Sequence, residues 1–543
     1  MLVPSTTPLD HRTSEPGMNS LRSSYDAQPV HTAKNSNDLF EDEKNTPCPT
    51  QPASPQSKAA TIHLPDEEDP YLVDWDESNK HDNPREWNSK YRHMLVIIVS
   101  LYTMQSPMTS SMNAPALDVI KTQFGVTSNI MGNMMMSIQV LAFAVGPIIF
   151  APMSERFGRK NVMQLMNLVF LIFNMACGFS KTFTQMIVLR FFTGLAGAAP
   201  LSMSAGTVAD LFGPEERGRA MATYTLAPVL GPCVGPMFAG WIIQGWGPSK
   251  WPWIFYFSSI YGAVIAVIGF ILLRETYAPV LLDRKVQKLR EKTGKEEWHT
   301  KFEKSEPFWK RFVHGMSRPA IFLFTQPAVF VPALYQSILF GCQYLLLAAF
   351  PMVFKDDYNM APGIASLHYI PFLIGFMFFG QVGGRCVDII YRRLKEKNNN
   401  YGIPEYKVPL LIVTGISMPV GLLIYGWSVQ YHTHWIVPDI GIVFLAIGIR
   451  GALFICPLYL ADSVPLYSAS AVSAGVSLRC LFAFIFPLFS PPMYNVMGQG
   501  GGNTFLAGIC ALVGLPAPYL LFRYGERLRH RSKYSKEAMA VSD

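Results

Sequence analysis

Charge is what this chain has least of. Of its 543 residues only 15% are Asp, Glu, Lys or Arg, against 50% hydrophobic and a mean hydropathy of +0.21. Such a balance excludes an ordinary soluble protein and points to a membrane. Cysteine is also scarce: eight residues, at 48, 177, 233, 342, 386, 456, 480 and 510, with no C-x-x-C pair and no H-E-x-x-H run. A disulfide framework and a zinc site therefore lack support, and the thiols read as small packing groups. There is no P-loop, no G-x-S-x-G and no H-x-x-x-D, and Ser154 sits in Pro-Met-Ser-Glu and not in a nucleophile elbow. An enzyme is not expected, and nothing calls for a cofactor or a metal. The formal charge of +7 is scattered between apolar blocks, which argues against a nucleic-acid partner.

What is abundant is long apolar sequence. Ten windows contain no Asp, Glu, Lys or Arg, among them 122–154, 319–354 and 480–522. A bilayer-spanning helix needs roughly 20 such residues. Twelve spans are predicted, at 93–113, 129–151, 161–180, 186–208, 219–243, 252–273, 329–351, 364–386, 408–428, 436–459, 467–490 and 504–523. Backbone groups cannot go unpaired in hydrocarbon, so the expected class is an all-α integral membrane protein. Lys and Arg number 29 in the loops after even spans and the C-terminus, counting those at the adjoining span edges, and four in the loops after odd spans. Both termini are therefore expected in the cytosol. The first 90 residues are polar, Pro- and Ser-rich and lack an apolar core for a cleaved signal, so 1–90 is expected to be a disordered cytosolic tail.

Residues 274–328 form the largest charged interruption and separate six spans from six. The expected organisation is two pseudo-symmetric six-helix bundles, 91–273 and 329–523, joined by that cytosolic linker and followed by a tail over 524–543. A weak internal match agrees: Ala209-Asp210 and Ala461-Asp462 end spans four and ten, and Gly158-Arg159-Lys160 is echoed by Gly384-Arg385 with Asp388. Within the linker, 283–295 reads either as a helix on the membrane surface or as a solvated connector.

Motifs then accumulate in register. Ala151 to Lys160 places a small-residue helix end beside a tight turn holding Glu155, Arg156, Arg159 and Lys160, with Gly158 free to reverse the backbone. Opposite charges there can latch helix ends in one state and release them in another. This segment resembles motif A of the major facilitator superfamily. Leu189 to Gly194 resembles motif B, and Ala227 to Pro236 with Gly240 resembles the antiporter motif C. The runs Asp82-Asn83-Pro84, Gly206 to Arg219, Glu275 to Leu282, Pro404-Glu405-Tyr406, Tyr459 to Asp462 and Phe486-Pro487-Leu488 make the likeness more specific, to fungal twelve-span drug:proton antiporters, over about 82–530. Three departures stand out: Trp251-Pro252-Trp253 where the family has Trp-Arg-Trp, Gln326-Pro327 for Glu-Pro, and Glu155 for Asp.

The resemblance implies a proton-coupled exporter of drugs, toxins or secondary metabolites, working by alternating access. Protons, a small organic molecule and the lipid bilayer are its expected partners, the chain is expected to be monomeric, and the plasma membrane is its expected address, with the vacuolar membrane as the alternative. Coupling and gating fall to Glu155, Arg156, Gly158, Arg159, Lys160, Arg190, Asp210, Arg217 and Arg219. Gly231, Pro232, Gly235, Pro236 and Gly240 supply close packing and flexure in span five. Arg190 lies inside a span, where a charge costs at least ~2.5 kcal/mol unless it finds a partner. It is read as a proton-transfer residue or as a structural arginine on carbonyls of a neighbouring span. Candidate cavity residues are Gln139, Tyr224, Gln336, Gln343, Tyr344, His368, Arg450 and Arg479.

Alternatives on the same fold are a polyamine exporter and an uptake symporter or facilitator. Few acids lie in the spans, which disfavours a polycation, and Arg450 and Arg479, if they face the cavity, favour neutral or weakly acidic lipophilic compounds. One proton entering through 100 mV yields ~2.3 kcal/mol and one pH unit adds ~1.4. Together they support a gradient on the order of 500-fold for a neutral substrate exchanged one for one.

Overall fold

A computed structural model of the chain describes residues 69, 71–75, 82–302, 308–464 and 467–530. The expected tail over 1–68, the last residues from 531 and Cys48 lie outside the described residues, as does the Arg219 side chain.

The first six spans are α1 (Ser89–Ser111), α2 (Asn129–Phe157), α3 (Arg159–Gly178), α4 (Phe183–Leu211), α5 (Pro214–Trp246) and α6 (Pro252–Leu272). Then come α7 (Pro327–Met352), α8 (Pro362–Lys397), α9 (Pro409–Gln430) and α10 (Ile436–Ser463), with α11 over 468–497 and α12 over 499–530. Most boundaries fall within a few residues of those expected. Asn88, Ser128 and Thr182 cap α1, α2 and α4 through their side-chain oxygens, and Pro is the first residue of each helix from α5 to α9. Both devices satisfy or remove main-chain N–H groups that a helix start leaves open.

Two expectations need correction, and one that stood open is narrowed. No polar loop separates α11 from α12: helix runs from Ser468 to Gly514, broken only at Gly498, whose φ of 68° and ψ of 176° turn the chain. That backbone region is open essentially to glycine alone. Residues 491–503, rich in Pro and Gly, are therefore helix, because apolar surroundings penalise any open backbone. Gly384-Arg385 lies inside α8 and not at a turn, since that helix continues through a π-helical segment at Phe379–Gly383 as far as Lys397; the echo of Gly158-Arg159 is one of letters only. In the linker, the helix Ala278–Thr293 buries Leu282 and Val286 against Val73, Trp75, Trp298 and Phe302, so its apolar stripe is covered by protein and not by lipid. A second linker helix, Phe308–Thr325, leaves Val313, Ile321 and Phe324 exposed before α7.

The starts of α1, α3, α5 and α9 meet the ends of α4, α10 and α12 at one end of the molecule, called here the basic end after its loops. One large apolar core fills the second bundle and reaches Ala114, Met136, Val140, Phe143, Ala198 and Cys233 of the first. Polar bridges join the bundles at mid-depth and toward the opposite, far end. Asn133 Nδ2 donates to the Pro487 carbonyl at 2.7 Å, Ser110 Oγ and Tyr344 Oη lie 3.2 Å apart, Gly363 N–H donates to Gln244 Oε1 at 2.8 Å, and Ser477 Oγ donates to the Ala144 carbonyl at 2.8 Å. These bridges hold the bundles together beside a cavity at the far end, lined by Lys121, Asn129 and Asn133 of the first bundle and Asp356, Asp357 and Gln499 of the second.

Candidate functional site

The charged turn between α2 and α3 is built around a carboxylate that sequence reasoning did not single out. Gly158 turns the chain with φ +89°, and the first amides of α3 point at Glu275, just past the end of α6. Glu275 Oε1 accepts from the N–H groups of Arg159 (2.9 Å), Thr276 (3.1 Å) and Tyr277 (3.1 Å), and Oε2 accepts from Lys160 N–H (3.2 Å). A buried anion at a helix N-terminus satisfies open donors and the helix dipole together. A Cβ at Gly158 would collide with this carboxylate, so glycine is needed twice over, for its φ and for its bareness. The Arg159 guanidinium turns the other way: Nε donates to Asp210 Oδ2 at the end of α4, and the group stacks 5.0 Å over Tyr277. Asp210 also accepts from Thr276 Oγ1 at 3.4 Å, and Arg217 Nη2 reaches the Ala209 carbonyl at 3.3 Å. Glu155 and Arg156 stand exposed on the last turn of α2, outside this joint.

The second bundle repeats the plan with different residues. Lys407 pairs with Asp462 as Arg159 pairs with Asp210, across the start of α9 and the end of α10. Glu405, 1% exposed, receives Arg529 Nε at 2.8 Å and Nη2 at 2.9 Å, with Tyr459 Oη at 3.4 Å. Each bundle is therefore tied within itself at the basic end by a buried carboxylate and an ion pair.

Arg190 is fully buried. Its Nε donates to the Met135 carbonyl (3.3 Å), Nη1 to that of Thr109 (3.1 Å) and Nη2 to that of Ser110 (3.4 Å), and the Phe255 ring lies 5.8 Å away. In the amide orientation that the network dictates, Asn113 Oδ1 accepts from Nη1 at 3.2 Å and Nη2 at 2.5 Å. Thr109 and Ser110 belong to the last turn of α1, whose carbonyls have no partner further along the helix. A guanidinium there supplies donors and a charge that suits the negative helix end.

Motif C lies on two contacts. A Cβ at Gly231 would meet Met104 O at 2.8 Å and one at Gly235 would meet Met108, so α5 lies directly against α1. At Gly240 it would meet Pro362 O and Ser366 across the seam, at the start of α8. The glycines thus serve one intra-bundle and one inter-bundle contact.

At mid-depth Tyr224 of α5, Tyr344 of α7, Arg450 of α10 and Arg479 of α11 come together, with Arg479 in electrostatic reach of the other three. Gln336 and Gln343, also on α7, are buried with side-chain oxygens that have no partner. Gln139 does not join this group; it is buried inside the first bundle and donates to Ser106 O at 3.2 Å. Nor does His368, which sits in a 3₁₀ turn near the far end of α8. It is stacked 3.7 Å from Phe354, with Nδ1 at 2.8 Å from Asp439 Oδ1. Asp439, in the first turn of α10, carries no sequence signal of its own, because its partner His368 lies 71 positions away.

A family model described as Major Facilitator Superfamily matches residues 99–487. The chain belongs to the major facilitator superfamily. It is 40% identical to efflux pump vrtL of Penicillium aethiopicum, over 86% of this chain and 92% of that protein. It is 37% identical to efflux pump radE of Floropilus chiversii, over 86% and 87%. An uncharacterized transporter of Schizosaccharomyces pombe is 39% identical over 88% and 96%. Among solved structures, the proton:xylose symporter XylE bound to 6-bromo-6-deoxy-D-glucose aligns with a TM-score of 0.59 over 81% of this chain and 96% of that one. At 15% identity this likeness speaks for the fold alone.

This facilitator is a multi-pass membrane transporter, and its three motifs now have distinct structural work. Motif A ties α3 to α4 and α6, motif B ties α4 to the end of α1, and motif C packs α5 on α1 and on α8. Glu275, Glu405 and Asp439 complete the picture. The first two stood in plain view in Glu275-Thr276-Tyr277 and Pro404-Glu405-Tyr406, directly beside a span end, where a carboxylate can reach helix amides or a neighbouring arginine.

Proposed function

We propose that this facilitator exports small organic molecules from the cytosol in exchange for protons, rocking two six-helix bodies about a mid-depth site, with both termini cytosolic and the plasma membrane as its address. The observation that carries the reading is the arrangement of the seam. Each bundle is tied within itself at the basic end by buried carboxylates and ion pairs, whereas between the bundles, beside their apolar packing, the polar ties at mid-depth and the far end are single, breakable hydrogen bonds. The efflux-pump names of relatives near 40% identity support the outward direction, as does the Gly-Pro pattern of α5. Arg190 places a fixed positive charge at the end of α1, which opposes a second positive charge there. The scarcity of seam-facing carboxylates counts against the polyamine reading.

The test is accumulation of lipophilic dyes and antifungals in efflux-deficient yeast expressing wild type or Arg190→Ala, with and without an uncoupler. Wild type should lower accumulation severalfold, and both the substitution and the uncoupler should abolish that effect. Higher accumulation with wild type would replace export by uptake.

A further inference from the structure

Among the described residues the mid-depth seam carries two cations, Arg450 and Arg479, and no anion. Arg450 is 8% exposed, and its guanidinium lies 5.9 Å from the Phe454 ring. Arg479 lies 5.2 Å over Phe340, has a buried Nε with no hydrogen-bond partner, and is close enough to Arg450 for the charges to repel. Neither makes an ion pair among the described residues. The carboxylates of these helices are distant and already engaged. Along α10, Asp439 and Asp462 stand about 17 and 18 Å from Arg450 at 1.5 Å per residue, held by His368 and Lys407.

Two like charges, one buried and one half-buried, without a counter-charge are a standing cost. We propose that the seam binds an organic anion, with Arg450 and Arg479 gripping its acidic group and the aromatic rings of Phe340, Tyr344 and Tyr224 holding its body. The unpartnered oxygens of Gln336 and Gln343 offer acceptors for hydroxyl or amide hydrogens elsewhere on the ligand. Arginine suits this task because its planar fork pairs with a carboxylate through two hydrogen bonds. Because the two arginines lie on adjacent helices of one bundle while Tyr224 lies on the other, an anion seated between them touches both moving bodies. The proposal rests on the transport reading above for its setting and adds the class of substrate.

The test uses two dyes of one ring system, anionic fluorescein and cationic rhodamine 6G, with the full-length protein purified in detergent and binding read by fluorescence anisotropy. Wild type should hold fluorescein at least about tenfold more tightly than rhodamine 6G. Arg450→Gln and Arg479→Gln should each reduce that preference about tenfold, and Arg450→Lys and Arg479→Lys should keep part of it, with melting temperatures recorded for every variant. Equal or tighter binding of rhodamine 6G by wild type overturns the proposal, as does an unchanged preference in both glutamine variants. The two readings fail separately: uncoupler-insensitive dye movement sinks proton-driven export and leaves the anion preference intact, whereas proton-driven efflux confined to rhodamine 6G does the reverse.

Discussion

Glu275 accepts four main-chain hydrogen bonds, two from the start of α3 and two from its own turn. Hydrogen bonds to a charged acceptor contribute more than neutral ones, and a buried, half-satisfied replacement loses part of each. Glu275→Gln keeps the shape, removes the charge and offers one acceptor oxygen where two were used. It should cost about 2 kcal/mol of stability, read as a fall in the melting temperature of the detergent-purified protein. Residue-level chemistry of this kind was only half legible beforehand. Gly158, Arg159 and Asp210 carry their own signals, namely a turn glycine and charges where charges are rare. Glu275 and Glu405 look like ordinary loop acids until their partners are known, because those partners are amides and a guanidinium 115 to 124 positions away. His368 was visible as an ionisable group in an apolar run, yet its partner Asp439 and its place near the far end depend on how α8 and α10 cross.

At the scale of elements, the two-residue strand Leu72–Val73 pairs in parallel with His299–Thr300 and so fastens the chain ahead of α1 to the linker. The strap is held by Lys301 on Asp74 at 2.7 Å and by Lys285 on the Asp74 carbonyl at 3.4 Å. The Lys301 hydrogen bond keeps the Asp74 carboxyl below its ordinary value. A carboxylate whose folded-state pKa is lowered stabilises above its unfolded pKa and loses that contribution as pH falls through the folded value. The contribution of the Asp74–Lys301 pair should therefore be present above about pH 4 and be lost as pH falls below it. Lys301→Glu sets like charges together. Hydrogen–deuterium exchange at the His299 amide, which donates to Tyr71 O, should then quicken about three- to tenfold at neutral pH. Spans were legible to within a few residues because a bilayer leaves helix as the only choice. The loop expected at 491–503 was misread because Pro491, Pro492 and four glycines look like a loop in water, whereas in hydrocarbon the helix closes over them, and the end of α8, expected at 386, falls at Lys397.

Over the whole molecule, alternating access requires the far-end bridges to part while each bundle keeps its shape. Gln244 and Gly363 face one another there across α5 and α8. A short thiol-reactive crosslinker applied to Gln244→Cys with Gly363→Cys should hold the far end shut and stop transport, and a reductant that cleaves the linker should restore it. Background reaction is limited, because six of the seven described cysteines are buried and only Cys386 is partly open. Unchanged transport in crosslinked protein would mean that the far end need not open, contrary to the rocking scheme.

The sharp turn at Gly498 belongs to a wider economy at the far end. Residues 179–182, 247–251 and 431–435 and the single glycine between α11 and α12 are all the chain spends on four of its crossings there. The stretch 112–128 between α1 and α2, with its short helix Leu117–Gln123, is the longest far-end connection. That face therefore offers almost nothing for an antibody to recognise, a glycan to decorate or a protease to nick. An epitope tag meant to report from that side has one natural home, beside residues 124–128, where it would interrupt neither a helix nor the seam.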